Sequence, residues 1–146
     1  MHGKFLAVFG VATMLAATAA TAQEYPVQSG DFWSVSEVTI DDGHFGDYAD
    51  FLGSYWRKQE DFAKSKGWIK DYHILSNPNK RASEPDLYLV EVFDHVPTAV
   101  EGRARDQAMV AAMNASLRQQ DAGSAARAKF RHLGGSQLLQ ELIWTK

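Results

Sequence analysis

Leu87–Phe93 reads Leu-Tyr-Leu-Val-Glu-Val-Phe, bounded by Pro85-Asp86 before it and Asp94 after it. It is built of leucine, aromatic and β-branched residues, and only Glu91 interrupts it. A run of this kind is expected as a central strand, buried on both faces. A central strand needs a neighbour on each side and a helical layer over it. The rest of the chain is read for those parts.

Trp33–Ile40 alternates and predicts a first strand; Asp41-Asp42-Gly43 ends it and offers an N-cap for a helix. His44–Lys66 follows as that helix. Phe45, Tyr48, Leu52, Tyr55, Gln59 and Phe62 step by three and four along one face, while Arg57, Lys58, Glu60, Asp61 and Lys64 fall mostly on the solvated side. Gly67 closes it as the residue after the C-cap. Trp68–Leu75 predicts the second strand, Ser76–Asp86 a long loop, and Leu87–Phe93 the third strand. Thr98 caps a second helical region running to His132, with a break expected at Ala122–Ser124 and an end at Gly134-Gly135. Leu138–Trp144 is the fourth strand. The order is β-α-β-β-α-β, the ferredoxin-like α+β arrangement, with an antiparallel sheet ordered 4-1-3-2 and helices on one face. The other face is left bare, and a large apolar patch calls for a partner.

The N-terminal stretch stands apart. Met1–Lys4 carries one positive charge, Phe5–Leu15 is apolar, and small residues end in Ala20-Thr21-Ala22, the layout of a secretory signal. The apolar core is short and rich in Ala and Thr, which suits cleavage after Ala22 better than stable membrane insertion. Gln23–Phe32 then reads as a short leader and 33–146 as one domain. Removing Met1–Ala22 takes away only Lys4, so the net charge moves from −3 to −4. A mildly acidic domain of this kind has no electrostatic footprint for nucleic acid. There is no cysteine, which excludes disulfides, thiol catalysis and Cys-type zinc sites. Neither a G-x-x-x-x-G-K-[ST] nor a G-x-G-x-x-G motif is present. The expected compartment is the periplasm or the exterior.

Three stretches carry a resemblance. Val35–Ile40 leads into Asp-Gly-His-Phe-Gly-Asp-Tyr, Pro85-Asp86-Leu87-Tyr88-Leu89-Val90 opens the third strand, and Leu-Leu-Gln-Glu-Leu-Ile lies near the end. With the element order, these make the chain from Trp33 to Lys146 resemble the dimeric α/β-barrel superfamily. Its members pair two ferredoxin-like sheets through their bare faces. The resemblance implies a homodimer. It covers cofactor-free monooxygenases, a polyketide cyclase, haem-degrading enzymes, dehalogenation-related proteins and exported members of unassigned role, so the fold does not select the activity.

Strand parity supplies the candidate site. If the β-branched, charge-free sets meet the helices, then Val38, Ile40, Tyr88, Val90, Val92, Leu138, Leu142 and Trp144 face inward. Val35, Glu37, Leu87, Leu89, Glu91, Phe93, Leu139, Glu141 and Ile143 then share the bare face. Three glutamates crowded there would push at least one pKa up and give a general acid or base; the structural alternative is that each is ion-paired or solvated. Tyr72 and His73 sit on opposite faces of the second strand, whose parity stays open, and either is a candidate proton carrier with Glu91. Trp33, Glu37, Leu89, Phe93, Glu141 and Ile143 are the candidate ligand-binding set for a small apolar or aromatic molecule. No paired-histidine ligand spacing occurs, and no metal or cofactor is expected; a haem held by a lone His44, His95 or His132 is the alternative. Asn114-Ala115-Ser116 matches a glycosylation sequon but is expected inside a helix. Two functions follow: an exported homodimeric barrel binding a small molecule, with acid/base or oxygenase chemistry, or a non-enzymatic protein with a fully packed barrel.

Overall fold

The computed structural model describes residues 25–145. The signal-like segment Met1–Ala22 and the first leader residues lie outside the described residues. Four strands form one antiparallel sheet: β1 (Val27–Ile40), β2 (Asp71–Ser76), β3 (Leu87–Phe93) and β4 (Arg131–Trp144), in the order β2-β3-β1-β4. This is the expected order read from the other edge. β3 occupies the expected residues and is central. β1 begins at Val27, inside the expected leader, and β4 begins at Arg131, so Gly134-Gly135 lies within a strand. The two glycines sit opposite Glu37 in a β-bulge between the pairs Ser36–Ser136 and Val38–Leu133. A Cβ on Gly134 would come 2.8 Å from the Glu37 Cβ, so glycine lets the Glu37 side chain pass.

The first helical stretch is three segments in succession: α1 (Phe45–Phe51), a π-helical turn (Leu52–Trp56) and α2 (Arg57–Ser65). His44, not Asp41 or Asp42, takes the N-cap position, and its side chain makes no capping bond. Gly67 stands past the C-terminus at φ +68°, the left-handed conformation expected of it. The π turn adds one residue to the helical repeat. The buried positions therefore step Tyr48, Leu52, Trp56, Glu60, Ala63, where an uninterrupted helix would continue to Tyr55, Gln59 and Phe62. Gly53-Ser54 marks the place: the Ser54 hydroxyl donates to the Asp50 carbonyl oxygen at 2.5 Å, inside the helix's own ladder.

Two helices, not one broken late, fill the second crossover: α3 (Ala99–Met113) and α4 (Leu117–Arg127). Both start with a capping box. Thr98 exchanges hydrogen bonds with Glu101, and Ser116 does so with Gln119. The break falls at Asn114–Ser116, with Asn114 left-handed at φ 50°, so the sequon residues form a turn between helices. Asp86 pins the long loop before β3: its carboxylate accepts from the Ile40 amide at 2.9 Å and pairs with Lys80 at 2.6 Å. Among the described residues no helix is long and apolar enough to cross a membrane.

The core lies between sheet and helices. Val38, Ile40 and Leu87 are buried against Tyr48, Leu52 and Trp56, with Phe51, Tyr72, Leu89 and Phe130 packed around them. The register explains this set. Directly paired residues of an antiparallel ladder share a face, and Val38 pairs with Leu87, Ser36 with Leu89, Ser34 with Glu91 and Phe32 with Phe93. The expected parity of β1 holds, but that of β3 is reversed. Leu87, Leu89, Glu91 and Phe93 face the helices, and Tyr88, Val90 and Val92 face away. Both faces of β3 are apolar, so its composition does not decide its orientation; the pairing with Val38 does.

Candidate functional site

The reversal of β3 divides the candidate residues between two places. On the helix side, Glu91 lies between Ser34 on β1 and Tyr72 on β2. α2 brings Glu60 toward it from above, because the π turn rotates Glu60 inward from the face its spacing suggests. Glu60 is 7% exposed. Burial, then the charge of Glu91, then that of Asp61 push its carboxyl up to about 8. Burial also raises Glu91. Among the described residues neither carboxyl has a hydrogen bond or an ion pair. Glu60 thus holds a proton at neutral pH, and the two groups form an unequal acid pair in a low-dielectric layer. Tyr72 is beside them but aims elsewhere. Its ring meets Trp56 edge-on at 5.4 Å, and its hydroxyl donates to Asp61 at 2.6 Å, the main cause of a raised phenol pKa.

The face away from the helices carries Trp33, Val35 and Glu37 of β1, Tyr88, Val90 and Val92 of β3, His73 and Leu75 of β2, and Leu139, Glu141 and Ile143 of β4. The Trp33 and His73 rings stack at 6.2 Å and 20°. They come from the strands on either side of β3, opposite Val92 and Val90 respectively, so the stack bridges β3. This accounts for Val90 at 1% and Val92 at 7% exposure on a face that no helix covers. His73 Nε2 stands 3.9 Å from the Asp71 carboxylate. The Trp33 indole N–H is buried with no acceptor. Beyond the stack, Leu75, Leu139 and Ile143 are exposed.

Several expectations are therefore corrected. Glu37, Glu91 and Glu141 do not share a face: Glu37 and Glu141 are on the open side and Glu91 is inside. Glu91 and Tyr72 are neighbours, but His73 is on the opposite side of the sheet from both. Of the candidate ligand-binding set, Trp33, Glu37, Glu141 and Ile143 are on the open face. Leu89 packs against the core, and Phe93 is buried and stacked on Phe32 at 6.1 Å. None of the three glutamates is ion-paired within this chain among the described residues, and Glu141 stands exposed, as the solvated alternative expects.

Among the described residues the other three histidines are each tied to a carboxylate: His44 to Asp47 at 2.8 Å, His95 to Asp94 at 2.6 Å and Glu101 at 3.3 Å, and His132 to Asp41 at 3.0 Å. Those two bonds raise His95, the Asp94 bond more. His44 and His132 lie near the Asp41–Phe130 corner and His95 at the other end of the sheet, so the three do not converge. Among the described residues no group of three His, Asp or Glu side chains is placed to hold a metal ion.

Two functional candidates escape the sequence pattern. Glu60 is one, since only the Gly53-Ser54 pair inside the helical stripe hints at the shift that buries it. Arg127 and Arg131 are the other. Their charge alone suggests solvent, yet Arg131 is 5% exposed and Arg127 lies 3.6 Å over the Phe51 ring. In comparisons with protein-family models, curated proteins and solved structures, nothing matches this chain.

Proposed function

We propose that this chain is an exported, homodimeric α/β-barrel protein that binds a small apolar or aromatic molecule on the open sheet face, between two copies. The observation that carries the reading is that face itself. Trp33, Val35, Leu139 and Ile143 form an apolar surface with no helix over it among the described residues, and the Trp33–His73 stack gives it a flat aromatic platform. An uncovered apolar surface with a flat aromatic platform fits a ligand with an apolar or aromatic body. The signal-like layout of Met1–Ala22 supports export, and the ferredoxin-like sheet order together with the resemblance from Trp33 onward supports pairing through this face.

The same geometry reassigns the chemistry. Glu91 is separated from the open face by the thickness of the sheet, so it cannot exchange a proton with a ligand lying on Trp33. His73, held near Asp71, is the titratable group in contact with the platform. The reading is thus a binding protein first, with His73 as the proton carrier of any reaction on the bound molecule.

Native mass spectrometry of the exported protein tests it. The expected spectrum is a dimer carrying a small-molecule adduct that the Trp33→Leu variant loses. A dimer that purifies without an adduct and fails to quench its tryptophan fluorescence with a panel of neutral aromatic compounds contradicts the binding function.

A further inference from the structure

A cavity lies within the helical layer, away from the open face. It measures about 240 Å³, sits between the π turn and α4, and is lined by Tyr55, Ala115, Gln119, Gln120, Gly123 and Arg127. Its polar groups are unbalanced. The Arg127 guanidinium has no carboxylate partner among the described residues, and its Nε–H is buried without an acceptor. The Tyr55 hydroxyl is likewise buried and unpartnered. Gln119 commits its amide oxygen to the Ser116 cap, accepting at 2.8 Å and 3.0 Å, which leaves its amide N–H groups over. Gln120 is spent on both ends: it donates to the Ala115 carbonyl at 3.0 Å and accepts from Gln59 at 3.4 Å.

What faces the cavity is therefore a set of donors. Close by, Arg131 is nearly fully buried, donates to the Ser124 carbonyl and hydroxyl at 3.1 Å and 3.0 Å, and has no counter-anion among the described residues. Two cations in one layer without an acid between them leave a deficit of negative charge. Burial and the neighbouring Arg131 charge both pull Arg127 below its usual range. The stacking of Arg127 on Phe51 supplies some compensation through the ring face but satisfies none of its N–H groups.

We infer that this cavity is a binding site for a small monocarboxylate with an apolar or aromatic body. The carboxylate would take the Arg127 fork in the two-pronged geometry that guanidinium favours, with the Tyr55 hydroxyl as a further donor. The body would lie against the Tyr55 ring, Ala115 and Gly123. The volume accommodates a molecule the size of benzoate or hexanoate. The location also gives the π turn a purpose: the extra residue that carries Glu60 inward also turns Tyr55 toward α4.

The test is a thermal melt of the exported protein with sodium benzoate, sodium hexanoate, benzamide, or sodium chloride at matched ionic strength. Either carboxylate is expected to raise the melting temperature in a saturable way, and benzamide and chloride to leave it unchanged. Arg127→Gln and Tyr55→Phe are each expected to weaken carboxylate binding about tenfold or more, the worth of one hydrogen bond to a charged group. Tyr55→Phe removes only an unpartnered hydroxyl, so it keeps the fold and keeps the test valid if Arg127→Gln does not fold. The inference is overturned if neither carboxylate shifts the melt, if benzamide acts as strongly as benzoate, or if Tyr55→Phe binds as the parent does.

Discussion

On one side of the sheet Val38, Leu87 and Leu89 lie beneath Tyr48, Leu52 and Trp56. On the other, Val90 and Val92 are covered only by Trp33 and His73, while Leu75, Leu139 and Ile143 stand in solvent. The first side is closed by the chain's own helices over β1 and β3, where it holds two unpaired carboxyls, while Leu138, Leu142 and Trp144 of β4 stay exposed on it. The second is closed locally by two rings and is left open at the periphery. The difference separates stability from recognition. The helix side holds the fold together and stores the titratable anomaly, whereas the open side offers surface that this chain alone does not bury.

The largest effect is expected at the centre of the covered side. Trp56→Ala removes a side chain packed against both the core and the Tyr72 ring, and should cost about 3–5 kcal/mol in urea denaturation. A loss under about 1 kcal/mol would mean that the helices do not close this face as described. The acid pair comes next. The Glu60 carboxyl is pushed up to about 8 in the folded chain, well above its ordinary value, so the native state holds a proton that the unfolded state releases. Stability should therefore fall as pH rises from the ordinary carboxylate range through about 8, and level off above that. Glu60→Gln should flatten this slope and stabilise the alkaline protein by roughly 2–4 kcal/mol. Denaturant melts across that range check it, and a stability that rises over the same interval would place a cation beside Glu60. The smallest effect belongs to the outer layer. Thr98→Ala deletes the capping box of α3 and should cost about 1 kcal/mol without changing either face of the sheet.

Much of this architecture is legible in the residues. Leu87–Phe93 declares itself as a central strand, Gly67 ends its helix, Thr98 starts another, and the element order leads directly to the sheet order. What the pattern does not carry is phase. β3 is apolar on both faces, so only its long-range pairing with β1 tells which set meets the helices, and a local rule about β-branched residues selects the wrong one. The helix changes phase for a different reason. A single extra residue in the π turn moves Glu60 from the solvated face to the core, and the stripe that runs through Tyr55, Gln59 and Phe62 does not anticipate it. The Arg127 cavity depends on where α4 is set, and that follows from the Ser116–Gln119 capping box, a signal present in the residues at a place where the helix looks continuous. The Glu60–Glu91 pair hangs on both of these shifts in phase, and the Arg127 cavity on the π turn that carries Tyr55. The Trp33–His73 platform is the exception: the alternation of β1 already puts Trp33, Val35 and Glu37 on one face.

Light scattering on the protein, beside its Leu139→Glu variant, tests the central claim most directly. Leu139 is half exposed on the open face and pairs with Trp33 across β1 and β4, so a charge there should oppose association while changing the monomer's own stability by less than about 1 kcal/mol. The parent is expected to have the mass of a dimer and the variant that of a folded monomer. A parent that remains a soluble monomer at high concentration would contradict the pairing of the open faces.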